Sequence, residues 1–262
     1  MNLDLFTVTP EEKPLDSLKG TCGFAGIFKE IGIIGDSLSS GEFEYHDKDD
    51  NIVYHDMYEY SWPAVLERLT GTVCHNYSRG GMSAKEFYES WAEQNDFWQW
   101  NQAYIIALGN NDVFVLEHPV GSAADIHPEH PEDNPDTFFG NMGRIVSKLK
   151  KIEKDARIFL VSMQRRGEEM GDPIICSIAE EMKKMCQLFS FTYLIDMSND
   201  GPVYDEEMRK TFALGFHPNA MGYYSYAVMI GNYIDYIIRK NPKDFFEVPF
   251  IGKGYKNKDV IY

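Results

Sequence analysis

The chain has 262 residues, 44% hydrophobic and 25% charged, a composition that suits a globular protein with a sizeable core and excludes extended disorder. Its formal net charge of -16 repels phosphate backbones and anionic lipid headgroups at long range, which argues against nucleic-acid or membrane partners and favours a small neutral or cationic one. Residues 1–19 lack the basic start and apolar core of a secretory signal, and Cys22, Cys74, Cys176 and Cys186 have no metal-like spacing, so a soluble cytoplasmic protein with reduced thiols is expected.

The first apolar run, Ile31–Gly35, breaks on Gly35 and Asp36 and delivers Ser37 at the end of a buried strand. Helical periodicity follows over Trp62–Leu69, a second strand over Thr72–His75, and a helix over Ala84–Phe97 that starts on Ser83 with Glu86 in capping-box spacing. A third strand, Ala103–Leu108, is followed by the Pro- and acid-rich stretch Glu117–Asp136, long enough to be a functional rim or a locally mobile loop. The pattern continues with a helix over Thr137–Glu153, a strand over Arg157–Ser162, a helix over Ile174–Phe189, a strand over Phe191–Asp196 and a helix over Asn219–Arg239. Beyond Pro242 the chain is too aromatic for a solvated tail and is expected to pack across the domain or against a partner subunit.

Strand and helix alternate, which predicts right-handed crossovers and a three-layer α/β/α sandwich around a mainly parallel five-stranded sheet. One domain over 1–262 is expected, with an N-terminal extension (1–29) and a C-terminal tail (242–262). Ligands of such sheets bind beyond the carboxyl ends of the strands. The turns after the first three strands, carrying Ser37, Asn76–Gly81 and Gly109–Asp112, therefore open on one edge and can share a site.

A serine hydroxyl becomes a nucleophile only when a base takes its proton. Of the seven histidines, His217 has the most suggestive context, just before the last long helix and followed by Pro218. His46, His55 and His75 read as structural. His118, His127 and His130 lie among Asp125, Glu129, Glu132 and Asp133 on the long loop but lack a metal-ligand spacing. Acyl transfer also needs donors for an oxyanion, and Gly80, Gly81, Gly109 and Asn111 stand in turns that could supply them.

Taken in order, "IIGDSLSSGE", "NYSRGG", "GNND" and "LGFHP" resemble the four blocks of the SGNH, or GDSL-type, hydrolases, from Ser37 to His217. The resemblance implies a flavodoxin-like SGNH fold and an esterase or acylhydrolase activity without metal or organic cofactor. It implies Ser37 as nucleophile and His217 as its base. It further implies an oxyanion hole of the Ser37 amide, Gly81 and Asn111, with Asp36 and Asp112 in supporting places. The family acid usually stands three residues before the histidine, and here that residue is Leu214. A backbone carbonyl near Leu214 making a Ser-His dyad is the favoured reading. The others are an acid from elsewhere, with Asp205, Glu206 and Glu207 nearest in sequence, or a weakly active or non-catalytic ligand-binding member.

The expected substrate is a small-molecule acyl ester with a short acyl group, such as an acetylated carbohydrate, with lysophospholipase or thioesterase activity as the alternative. Trp62, Trp98, Trp100 and the cluster Tyr223, Tyr224 and Tyr226 are candidates to stack on sugar rings, although their helical spacing suits core or subunit contacts better. Homo-oligomerisation stays open.

Overall fold

The computed structural model describes residues 6–255. In chain order the elements are β1 (Glu30–Gly35), α1 (Ser37–Ser40), β2 (Glu42–His46), β3 (Ile52–Asp56), α2 (Trp62–Thr70), β4 (Val73–Asn76) and α3 (Ala84–Glu86). A π turn over Phe87–Trp91 joins α3 to α4 (Ala92–Gln94); β5 (Ala103–Ala107), α5 (Phe138–Ile152), β6 (Arg157–Val161), α6 (Gly171–Cys186) and β7 (Thr192–Ile195) follow. The chain then runs through α7 (Glu206–Phe212), β8 (Ala213–Leu214), β9 (His217–Pro218) and α8 (Ala220–Lys240).

β4, β1, β5, β6 and β7 lie side by side in that order as a parallel five-stranded sheet. Successive side chains of a strand point to opposite faces, so an uninterrupted apolar strand feeds two cores at once. Ile31 and Ile33 of β1, Ile105 of β5 and Phe159 of β6 pack under α2 and α8 on one face. Ile34, Tyr104, Ile106, Ile158 and Leu160 pack under α5 and α6 on the other. The expected three-layer sandwich is therefore observed, and each fully buried side chain of this size contributes roughly 1.5–3 kcal/mol.

The helix starts are capped largely as their sequences imply. Ser61, Thr137 and Asn219 each accept from a backbone N–H of the first turn of α2, α5 and α8. Ser83 accepts from Glu86 N at 3.1 Å, but Glu86 itself pairs with Arg79 at 2.6 Å, so that capping box is one-sided.

Two features exceed the sequence-based expectation. The segment between Ser37 and Trp62 forms the antiparallel hairpin of β2 and β3, and the residues before α8 form the small hairpin of β8 and β9. The Glu117–Asp136 loop packs Ala123 and Ile126 into the second core and is fastened by Asn134, which accepts from His127 N and donates to the Gly140 carbonyl. Among the described residues no group of three or more His, Cys, Asp and Glu is arranged to hold a metal ion.

The extension before β1 is clamped along α8 by Lys19 on Asp235 (2.7 Å) and Arg239 on Glu12 (2.6 Å). The described part of the tail crosses the first core, where Phe245 packs against Phe28 and Tyr193. Among the described residues no helix is long and apolar enough to cross a membrane.

Candidate active site

Ser37 opens α1 immediately beyond β1. The turn is too tight for a side chain at Gly35, where a Cβ would lie 2.2 Å from the Ser39 hydroxyl oxygen. Asp36 caps α1, its carboxylate accepting from Leu38 N at 3.0 Å. Burial pushes the Asp36 carboxyl up to about 7; the Leu38 N–H opposes the shift, and the nearby charges of Asp112 and Glu42 add to it. The Tyr223 hydroxyl donates to the Glu42 carbonyl at 2.7 Å and lies 3.4 Å from that of Ser37, which ties α1 to the start of β2.

His217 begins β9. Leu214 pairs with it across a two-residue turn, Gly215 and Phe216, in which Gly215 has a φ of +64°. A Cβ on Gly215 would lie 2.0 Å from Glu44 Oε1, because the Glu44 carboxylate sits directly on this turn. Glu44 Oε2 accepts from Phe216 N at 3.1 Å and lies 3.5 Å from His217 Nδ1. Tyr54, opposite Glu44 in the hairpin register, meets the imidazole edge-on with ring centroids 5.5 Å apart. The β2–β3 hairpin thus holds the ring from two sides, with the His217 and Glu44 side chains only 16% and 10% exposed.

The residues considered for the acid role from sequence lie elsewhere. Leu214 is 45% exposed on β8. Asp205 caps α7 by accepting from Met208 N, Glu206 pairs with Lys210, and Glu207 is exposed. Glu44 was missed because it arrives by tertiary docking from 173 residues away. The available signal was local: Glu42 and Glu44 alternate with Phe43 and Tyr45 before an Asp-Asp-Asn turn, the pattern of a hairpin with both carboxylates on one face.

Asn111 starts a π turn after β5 and is buried, with Nδ2 donating to the Met82 carbonyl at 3.1 Å. That bond uses one of the amide's two N–H groups. Both oxygens of the buried Asp112 accept from Ala84 N, at 3.0 and 3.1 Å, so the turn after β5 is fastened to the loop after β4. Burial raises the Asp112 carboxyl above its usual range, against the pull of that N–H and of His118. Gly81 lies on this loop with φ +72°, exposed and outside the cavity wall.

Ser37, Asp36, Glu44, Asn111 and His217 surround one cavity of about 360 Å³. Its floor is apolar, with Trp62, Ala107, Val161, Met197 and Ile230. The candidate stacking residues are placed otherwise than a sugar platform requires. Trp62 is 2% exposed and bonded to Ser39, Trp98 packs against Phe87, and Trp100 donates to Glu153. Tyr223 is fully buried, Tyr226 spends its hydroxyl on Gln164, and Tyr224 faces a separate groove. The exposed aromatics at the mouth are Tyr54 and Phe216.

No family model matches the sequence, and no curated protein matches it. Among solved structures, a carbohydrate esterase of family two from Clostridium thermocellum in complex with cellohexaose is similar at a TM-score of 0.54 and 11% identity, over 82% of this chain and 64% of that one. A family 2 carbohydrate esterase with a carbohydrate-binding domain, from Corynascus thermopiles (Myceliophthora fergusii), is similar at 0.56 and 15%, over 79% and 65%. A possible lipase from Chitinophaga pinensis is similar at 0.55 and 15%, over 80% and 97%. The chain spans 64% and 65% of the length of the two carbohydrate esterases. The chain shares its three-layer α/β fold with these two carbohydrate esterases and the possible lipase.

Proposed function

We propose that the protein is a serine ester hydrolase working through an acyl-enzyme, with Ser37 as nucleophile, His217 as general base and Glu44 as the carboxylate that orients it. The observation that carries this reading is the Glu44 contact with His217 Nδ1 on the wall of the cavity that Ser37 also lines. A proton on Nδ1, directed at Glu44, leaves Nε2 with its lone pair to accept the Ser37 proton. The resulting imidazolium is stabilised by the Glu44 charge. The serine oxygen bonds to the ester carbonyl carbon, and the carbonyl electrons move onto its oxygen.

The Ser37 N–H and the second N–H of the Asn111 amide are assigned to that oxyanion, whereas Gly81, the third donor expected from sequence, lies outside the cavity wall and is given no such role. Collapse of the intermediate breaks the ester C–O bond, and His217 gives its proton to the departing alcohol. Water, deprotonated by the same imidazole, then releases the acid. The nearby Glu44 carboxylate supports the catalytic reading over a non-catalytic binding module, whose support is Leu214 in the acid's expected place.

Short acyl esters of polyhydroxylated alcohols, such as acetylated carbohydrates, are the proposed substrates. The closed apolar floor suits a small acyl group, and the fold shared with two carbohydrate esterases supports the alcohol. The test is hydrolysis of a panel of acetyl, butanoyl and octanoyl esters by wild type and Ser37→Ala. Turnover that favours the acetyl ester and disappears in Ser37→Ala is expected; equal turnover by both proteins refutes the mechanism.

A further inference from the structure

The cavity has a further set of polar lining residues that the proposed chemistry does not use. This set is built by the loop after β6, carrying Arg166, by Tyr204 on the segment that leads into α7, and by Arg209 of α7 itself. In a chain with 41 acidic and 25 basic residues, this cavity holds two guanidinium groups beside the carboxylates of Asp36, Glu44 and Glu168.

Neither arginine has a carboxylate within ion-pair distance among the described residues, whereas Arg79 and Arg239 are both paired with acids. Arg166 is aimed by other means. Its guanidinium lies 4.5 Å from the centre of the Phe114 ring and donates to the side-chain carbonyl of Asn110, next in sequence to Asn111. Asp172 accepts from the backbone N–H groups of Arg166 and Gly167 and not from the Arg166 guanidinium.

Arg209 donates one N–H to the Tyr204 carbonyl at 2.7 Å. Each guanidinium carries five N–H groups, so most of their donor capacity is unspent. Beside them the Tyr204 hydroxyl is buried and has no hydrogen-bond partner among the described residues. A buried polar group without a partner is costly, and a ligand atom that satisfies it is correspondingly favoured.

Two of the three carboxylates on the same cavity are engaged: Asp36 caps α1 and Glu44 holds Phe216 N and faces His217, while Glu168, on the loop that carries Arg166, is exposed and has no ion-pair partner among the described residues. Guanidinium donors together with a phenolic O–H match the lone pairs of a compact oxyanion.

We propose that Arg166, Arg209 and the Tyr204 hydroxyl form a subsite for an oxyanion carried by the substrate, so that the preferred esters are acidic ones. The inference rests on the ester-hydrolase reading for its placement and deepens it by naming a substrate class. The oxyanion is a carboxylate or a phosphate, and it sits on the alcohol or the acyl part of the ester.

The experiment compares kcat/KM for three acetyl esters with one leaving-group type: acetylglycerol, acetylglycerate and acetylglycerol phosphate. Phenyl hydrogen succinate against phenyl butanoate covers an anion on the acyl part. An acidic ester is expected to exceed its neutral counterpart by about tenfold or more, the size of one charge-assisted hydrogen bond. That ratio is expected to fall by about tenfold in Arg166→Gln and in Arg209→Gln, and severalfold in Tyr204→Phe. The ranking of carboxylate and phosphate identifies the oxyanion. A wild-type preference for the neutral esters, or a ratio unmoved by both arginine substitutions, overturns the proposal.

A second arm separates this failure from failure of the ester reading. Calorimetric titration of Ser37→Ala with succinate and with inorganic phosphate needs no turnover. Saturable binding lost in the Arg166→Gln double variant supports the subsite even if no ester is hydrolysed, and absence of binding by both anions counts against it. Ser37-dependent turnover indifferent to substrate charge refutes the subsite alone.

Discussion

Glu44 Oε2 and His217 Nδ1 stand 3.5 Å apart, joined across two hairpins that are distant in sequence. The distance is long for a fully formed hydrogen bond, and such contacts shorten when substrate excludes water. The relationship puts a carboxylate where the residue three before the histidine cannot, since Leu214 is committed to backbone pairing with His217.

If Glu44 orients the imidazole, Glu44→Gln keeps the shape but loses the charge and allows the wrong tautomer. Turnover is expected to fall by roughly a hundredfold to ten-thousandfold, with Glu44→Asp intermediate. Leu214→Ala and Glu206→Gln are expected to change turnover less than about twofold, because Leu214 has no side-chain group to accept from the imidazole and Glu206 is paired with Lys210. Steady-state kinetics on a short acetyl ester checks the set.

Gly215→Ala should act through the same contact. The left-handed φ and the Cβ position 2.0 Å from Glu44 Oε1 both oppose a side chain there. A loss of about 1 kcal/mol or more in stability is expected, together with a fall in kcat as the carboxylate is displaced. Denaturant melts and kinetics on the same preparation separate the two effects.

The Asn111 amide is the side-chain donor proposed for the oxyanion. Asn111→Ala is expected to lower kcat by about a hundredfold or more while KM changes little, since the oxyanion exists only at the transition state. A change confined to KM would assign Asn111 to ground-state binding instead.

Asp36 makes a pH prediction. Its carboxyl is raised from the ordinary carboxylate value to about 7 in the folded protein, so between about pH 4 and 7 the native state binds the extra proton and stability falls as pH rises. Asn at this position keeps an oxygen to accept from Leu38 N and carries no charge. Asp36→Asn is expected to melt several degrees above wild type at pH 8, with the gap closing toward pH 4. Differential scanning calorimetry at the two pH values checks this; a variant less stable than wild type at pH 8 contradicts it.

The parallel sheet was legible because its strands are apolar without interruption, and burial on both faces leaves no other use for runs such as Ala103–Ala107. The positions of Ser37 and Asn111 follow from strand-end topology, which the alternation of elements encodes, and that of His217 from its place before the last long helix. The hairpin of β2 and β3 was less visible because β2 is only half-buried and β3 mostly exposed, so neither carries the apolar signal of a core strand. Glu44 could not be assigned for a further reason: its role exists only once that hairpin docks on the β8–β9 turn. The aromatic candidates failed the other way, since Trp62 and Tyr223 have the size to stack on a ligand but were needed in the core.

The most direct test of the central claim is reaction with a fluorophosphonate followed by peptide mass spectrometry, since only an activated serine forms the adduct at neutral pH. The account predicts one stoichiometric adduct on Ser37, formed at a rate that falls sharply in His217→Ala and in Glu44→Gln. No adduct on Ser37, or labelling at the same rate in both variants, would contradict it.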